Sequence, residues 1–116
     1  MKYLFSRTQR LTKSSQFKEV LKKGKRITTK VCVIYYCETN LTYPRLGVIV
    51  AKKNIRKAYA RNFFKRVVRE GFRLRQHKLP NVDIVFLAYK QDGEQKQLWH
   101  YLAKQWQKLI QHQETV

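Results

Sequence analysis

Between Ala58 and Leu74 cationic and apolar residues alternate with the period of an α-helix. At about 100° per residue, Arg61, Asn62, Lys65, Arg66, Arg69 and Arg73 fall within an arc of roughly 140°, while Ala60, Phe63, Phe64, Val67, Val68, Gly71, Phe72 and Leu74 fill the rest. Gly71, inside the apolar arc, predicts a helix that passes close to a sheet. An earlier, shorter helix is expected from Ser14 or Ser15, as cap, to Lys23. Phe17, Val20 and Leu21 recur at helical spacing there, and Gly24 supplies the stop.

Three stretches have strand character. Thr28 to Cys37 is rich in β-branched and aromatic residues and puts Val31, Val33 and Tyr35 on one side, Cys32, Ile34 and Tyr36 on the other. Neither side is polar, so both need cover. Asn40 to Pro44 is turn chemistry, and Arg45 to Ala51 reads as a second strand, antiparallel to the first by the shortness of the connection, with Gly47 marking a close backbone approach or a bulge. Val82 to Tyr89 is apolar enough to be a central, buried strand. After the break at Gln91-Asp92-Gly93, Glu94 to Ile110 forms a last helix with Leu98, Tyr101, Leu102, Trp106, Leu109 and Ile110 on one stripe and Trp99 off it. Residues 1–13 read as a basic extended arm, and 111–116 as a frayed tail. The order, α-β-β-(β)-α-β-α, predicts a single small α+β domain spanning 1–116, its helices packed on a small mixed sheet.

Charge changes what the first pattern means. The 116 residues carry 26 Lys plus Arg against 7 Asp plus Glu, a net +19 that works against a compact state unless an anionic partner offsets it. Arg61, Lys65, Arg69 and Arg73 follow one another at a spacing where like charges weaken a helix, with only Glu70 in relief. A solvated face normally mixes signs, so this one is read as a surface for a polyanion. Lys52, Lys53, Arg56 and Lys57 form a basic porch just before the helix, and Lys22, Lys23, Lys25 and Arg26 form a second cluster. No apolar run approaches the roughly 20 residues of a spanning helix, and the first residues lack the apolar centre of a secretory signal, which disfavours a membrane partner. Cys32 and Cys37 point to opposite faces of one strand and cannot bridge within it, as befits a reducing cytoplasm.

Catalytic chemistry is hard to find. Glu19, Glu38, Glu70, Asp83, Asp92, Glu94 and Glu114 are scattered, and none pairs with His77, His100 or His112 at a spacing suited to metal binding or acid and base work. The four glycines stand alone, so there is no phosphate-cradling loop. What is present is cation with aromatic: Phe17, Tyr35 or Tyr36, and the basic helix could line one groove in which single-stranded bases stack while phosphates meet Arg and Lys. Asn62 adds a short amide, able to fix a backbone or a metal-bound water.

The run Ala-Tyr-Ala-Arg-Asn-Phe-Phe-Lys-Arg-Val-Val-Arg-Glu-Gly-Phe-Arg from Ala58 to Arg73, with Gly47 to Lys53 upstream and Arg10-Leu11, Phe17, Val20 and Gly24 before that, resembles the protein subunits of bacterial ribonuclease P. Their signature usually reads Arg-Asn-Arg, and here its third position is Phe63. The resemblance implies a small cytoplasmic protein that joins a catalytic RNA, needs no protein partner, and assists removal of the 5′ leader of precursor tRNA, with Mg2+ held at the RNA. It implies that Phe17 and Tyr35 line a groove for the leader and that Arg61, Asn62, Lys65, Arg66 and Arg69 face RNA; Leu21 is placed with the groove, and Arg73 and the porch of Lys52, Lys53, Arg56 and Lys57 join the RNA face by the charge pattern. It also implies a ribosomal-protein-like fold with a left-handed strand-helix-strand crossover, against the general right-handed rule. A ribosomal or other structural RNA-binding protein would share charge and fold, and a self-sufficient nuclease is the third class.

Overall fold

The computed structural model describes residues 6–29, 31–89 and 96–114. The first five residues of the arm, the Gln91-Asp92-Gly93 break, the start of the last helix at Glu94, the side chains of Trp99 and His112 and the last two residues lie outside the described residues. After a short 3-10 turn at Arg7–Gln9 come α1 (Ser14–Lys23), β1 (Lys25–Thr28), β2 (Cys32–Glu38), β3 (Arg45–Ile49), α2 (Ala58–Arg75), a 3-10 turn at Gln76–Lys78, β4 (Val82–Ala88) and α3 (Lys96–Glu114).

The four strands form one mixed sheet in the order β1-β2-β4-β3. β1 pairs with β2 and β2 with β4 in antiparallel fashion, while β3 runs parallel to β4. The expected hairpin of β2 with β3 is therefore absent, because β4 lies between them. β4 is buried at every position except the half-buried Leu87 and takes the centre, whereas β3, with Arg45 and Gly47, goes to the edge. β1 is the strand that charge concealed: Lys25 and Arg26 look like a cationic cluster, yet Arg26 lies opposite Tyr35 in the ladder. Thr29 closes the turn between β1 and β2, its Oγ1 donating to the Cys32 carbonyl at 2.8 Å and accepting from the Cys32 N–H at 3.0 Å.

The alternation holds along β2 from Cys32 onward, whereas Val31, expected on the side of Tyr35, lies before the strand and packs against the main core. Cys32, Ile34 and Tyr36 join Ile84, Phe86, Phe64, Val68, Phe72 and Trp106 in the main core under α2 and α3. Tyr35 and Cys37 face the other way, toward Val85, Leu11, Val20 and Phe17 of the α1 side.

Four local readings change. Lys13, not a serine, sits at the α1 N-cap, and Gln16 Oε1 accepts from the backbone N–H groups of Thr12 and Lys13 at 3.0 Å each. Gly24 ends α1 in extended backbone, where a Cβ would lie 2.5 Å from the Val20 carbonyl oxygen and 2.9 Å from that of Tyr36. Close approach rather than handedness requires the glycine. At Gly71 the near neighbour is α3, since a Cβ there would meet Trp106 Nε1 at 2.2 Å. The Trp106 ring packs on Phe86 at 4.9 Å between centroids, and its Nε1 is buried without a hydrogen-bond partner. α3 itself continues to Glu114, past Ile110, because no Gly or Pro interrupts it.

The arm is docked from Gln9 onward. Gln9 Nε2 donates to Gln76 Oε1 just past α2, Arg10 bridges Leu46 in the parallel sense, and the Leu11 N–H donates to the Leu46 carbonyl at 2.9 Å. The open edge of β3 is thereby partly covered. Burial of Leu11 at 5% exposure supplies the apolar anchor.

Candidate nucleic-acid interface

α2 buries Phe64, Val67, Val68, Gly71 and Phe72 and turns its cations outward. Asn62, Arg66 and Arg69 are exposed, and Arg61, Lys65 and Arg73 are half-buried. Together with Arg10 from the docked arm, Asn62, Lys65, Arg66, Arg69, Glu70 and Arg73 line an open cleft of about 340 Å³. Although Arg69 is exposed overall, desolvation by the surrounding protein, and after it the charge of Arg10, makes its guanidinium a weaker base than usual. It stays cationic, as arginine does in proteins. Five cations crowded at one cleft are an arrangement that an anion relieves.

The members of this face are not equivalent. Arg61 Nη1 donates to the carbonyls of Ile55 at 3.0 Å and Arg56 at 2.6 Å, so this arginine grips the preceding loop. Asn54 Nδ2 ties the same loop to the Ala88 carbonyl at 3.0 Å, and Ile55 is buried. The loop is thus pinned from three sides while Lys52, Lys53, Arg56 and Lys57 stand exposed on it. Arg73 is paired with Glu70, which lowers the Glu70 carboxyl below its usual pKa, chiefly through their hydrogen bond. Phe63 is half-buried against the main core, and the Arg66 guanidinium lies over its ring at 5.5 Å. The third motif position therefore gives up a cation and supports one instead.

Phe17, Leu21 and Tyr35 come together on the other side of the sheet, all half-buried. Phe17 rests on Gly47, where a Cβ would lie 2.4 Å from its Cε1, and the ladder sets Arg26, Tyr35, Val85 and Gly47 in one row. Tyr36 is in the main core, which resolves the choice between the two tyrosines. The aromatic surface and the basic helix consequently do not line one groove. They occupy opposite sides of the sheet and meet at the edge of β3, around which Arg10 and Leu11 wrap. Arg10, a cation of the basic arm and not of the helical pattern, joins the cleft because Leu11 beside it is buried.

Of the carboxylates, Asp83 is held by Arg45 in a two-pronged ion pair at 2.7 and 2.6 Å, and Glu19 by Lys23 at 3.3 Å. Among the described residues no three His, Cys, Asp or Glu side chains gather as a metal site. Burial pushes the Cys32 thiol up to about 11, and Cys37 is raised as well, so neither thiol is primed as a nucleophile. No helix among the described residues is long and apolar enough to cross a membrane.

A four-stranded mixed sheet with one cationic cleft and one partly open aromatic face defines a basic α+β domain shaped to hold a polyanion. Comparison with known proteins makes this specific. A family model described as Ribonuclease P matches residues 5–112. The ribonuclease P protein component of Haemophilus influenzae is 43% identical over 112 residues, covering 95% of this chain and 94% of that protein, and its Escherichia coli counterpart is 42% identical over 110 residues, covering 93% and 92%. Among solved structures, the Staphylococcus aureus RNase P protein superposes with a TM-score of 0.78 at 29% identity, covering 87% of this chain and 94% of that one. The Thermotoga maritima protein gives 0.71 at 29%, covering 88% and 96%. The chain belongs to the ribonuclease P protein family.

Proposed function

We propose that this chain, as the protein subunit of ribonuclease P, binds the RNA of that endoribonuclease through the α2 cleft and holds the 5′ leader of precursor tRNA along Phe17, Leu21 and Tyr35. The observation that carries the reading is the cleft, where Arg10, Lys65, Arg66, Arg69 and Arg73 converge beside a single carboxylate. Phosphates would meet these cations and the porch of Lys52, Lys53, Arg56 and Lys57, while unpaired bases would lie on the half-open rings of the opposite face. Hydrolysis of the phosphodiester falls to the RNA and its Mg2+, and the protein's part is to bind and orient. Arg61 serves that part from behind, by fixing the loop that displays the porch. Two free cysteines suit a reducing cytoplasm. A purely ribosomal role has no observation in its favour here.

The test is reconstitution with the cognate ribonuclease P RNA at low Mg2+. Precursor tRNA with a leader should be cleaved faster or bound more tightly when the chain is present, and the RNA co-purifying with the chain should be that RNA. No gain in either quantity sinks the proposal. Cleavage by the protein alone, lost on changing its acidic residues, would point to a self-sufficient nuclease.

A further inference from the structure

Tyr59 is the most open large apolar side chain among the described residues, at 63% exposure. A lone exposed aromatic is ordinary. Its surroundings make this one unusual. Lys57 Nζ lies over the ring at 5.7 Å from the centroid, and Lys57 and Arg56 both stand exposed beside it. On α2, Tyr59 precedes Asn62 by three residues and Arg66 by seven, a spacing that puts all three on one helical stripe. Asn62 and Arg66 line the cationic cleft, so Tyr59 stands one turn before it on the same face. Phe63, the next ring along, is half-buried against the main core and offers no comparable surface.

An exposed ring with a cation over one face and further cations leading away along the helix is a combination that captures an unpaired base on the other face together with its backbone. We infer that Tyr59 is a stacking platform for an unpaired RNA base, with Lys57 placed for the adjoining phosphate. This rests on the RNA-binding reading above and adds to it a base contact on a face otherwise given to phosphates. The base could belong to the ribonuclease P RNA or to the leader of its substrate; the chemistry is the same and the experiment separates them.

Full-length wild-type chain, Tyr59→Phe, Tyr59→Leu and Tyr59→Ala are titrated against ribonuclease P RNA, and the reconstituted complexes against precursor tRNA with and without its leader. Loss of stacking should weaken binding about five-fold or more for Tyr59→Ala and Tyr59→Leu, while Tyr59→Phe keeps the wild-type affinity within about two-fold. The salt dependence should not change, since no charge is removed. A loss in the RNA titration assigns the base to the partner RNA; a loss only for leader-bearing substrate assigns it to the leader. Tyr59→Leu binding like wild type in every arm overturns the inference, as does Tyr59→Ala doing so. Wild type that binds neither RNA overturns the functional proposal as a whole, whereas wild-type binding with unmoved Tyr59 variants overturns this inference alone.

Discussion

On one side of the sheet Cys32, Ile34, Tyr36, Ile84 and Phe86 lie under α2 and α3 and are almost wholly excluded from water, whereas on the other Tyr35, Leu87 and Ile49 lie under little but α1 and the docked arm and remain half-exposed. The same strands feed both sides, because successive residues point opposite ways. What differs is the cover. Two long helices seal the first side into the core that holds the fold together, and their outer, polar surface carries the cationic cleft. One short helix leaves the second side with apolar surface in reach of a ligand. With the leader surface as proposed, truncations on the two faces of this single sheet should differ in how they affect stability and leader binding.

The largest separation is expected between Phe86→Ala and Tyr35→Ala. Phe86 is fully buried and packs against Trp106, so its truncation should cost about 3–5 kcal/mol, read as the midpoint shift in urea unfolding. Tyr35 is already half in water, and its truncation should cost about 1–2 kcal/mol. The order reverses in binding, where Tyr35→Ala should weaken leader-bearing precursor tRNA more than leaderless tRNA. Equal stability losses for the two variants would break the division of the sheet.

The two glycines sharpen the same contrast at smaller scale. Gly71→Ala puts a Cβ against Trp106, a ring at 1% exposure with Phe72 and Phe86 beside it and nowhere to go. The overpacking, about 1–3 kcal/mol, should outweigh the gain of about 1 kcal/mol in helix propensity and leave a net loss in thermal stability. Gly47→Ala meets the edge of the Phe17 ring, which is half-exposed and can swing outward. It should cost less in stability and more in discrimination between leader-bearing and leaderless substrate, as the displaced ring no longer sits on the sheet. A Gly47→Ala variant with wild-type discrimination would show that the position of Phe17 does not matter.

How much of this was legible in the sequence depended on how local the signal was. The two-sided period of α2, the apolar run of β4, the alternation of β2 and the stop at Gly24 are all written within a few consecutive residues, and the structure keeps them. The placement of β4 between β2 and β3 is a non-local choice that no short pattern records. β1 was hidden because Lys25 and Arg26 read as charge before they read as strand. The grip of Arg61 on the carbonyls of Ile55 and Arg56 went unread for a related reason: a cation among cations shows nothing in the sequence of the backbone it also holds. The likeness to the ribonuclease P proteins could place Phe17 and Tyr35 on a shared surface; only the fold shows that α2 lies on the other side of the sheet from it.

The smallest effect concerns Glu70, the one carboxylate of the cleft. Its hydrogen bond with Arg73 lowers its pKa, so any stability it lends is fully present above the ordinary carboxylate range and is lost as pH falls through the lowered value. With 39% of its side chain exposed, solvent screens the pair, and Glu70→Gln should leave Tm at pH 7 unchanged within error. Whatever difference from wild type remains should vanish in strongly acidic buffer, where both side chains are neutral. Binding should respond more clearly than folding, because the substitution releases Arg73 and removes a negative charge from the cleft proposed to meet phosphates. Affinity for ribonuclease P RNA should rise slightly, and the slope of log affinity against log salt should steepen by up to about one unit. A weaker, shallower response would mean that Glu70 serves the interface by holding Arg73 in position, and that the cleft is tuned by geometry more than by net charge.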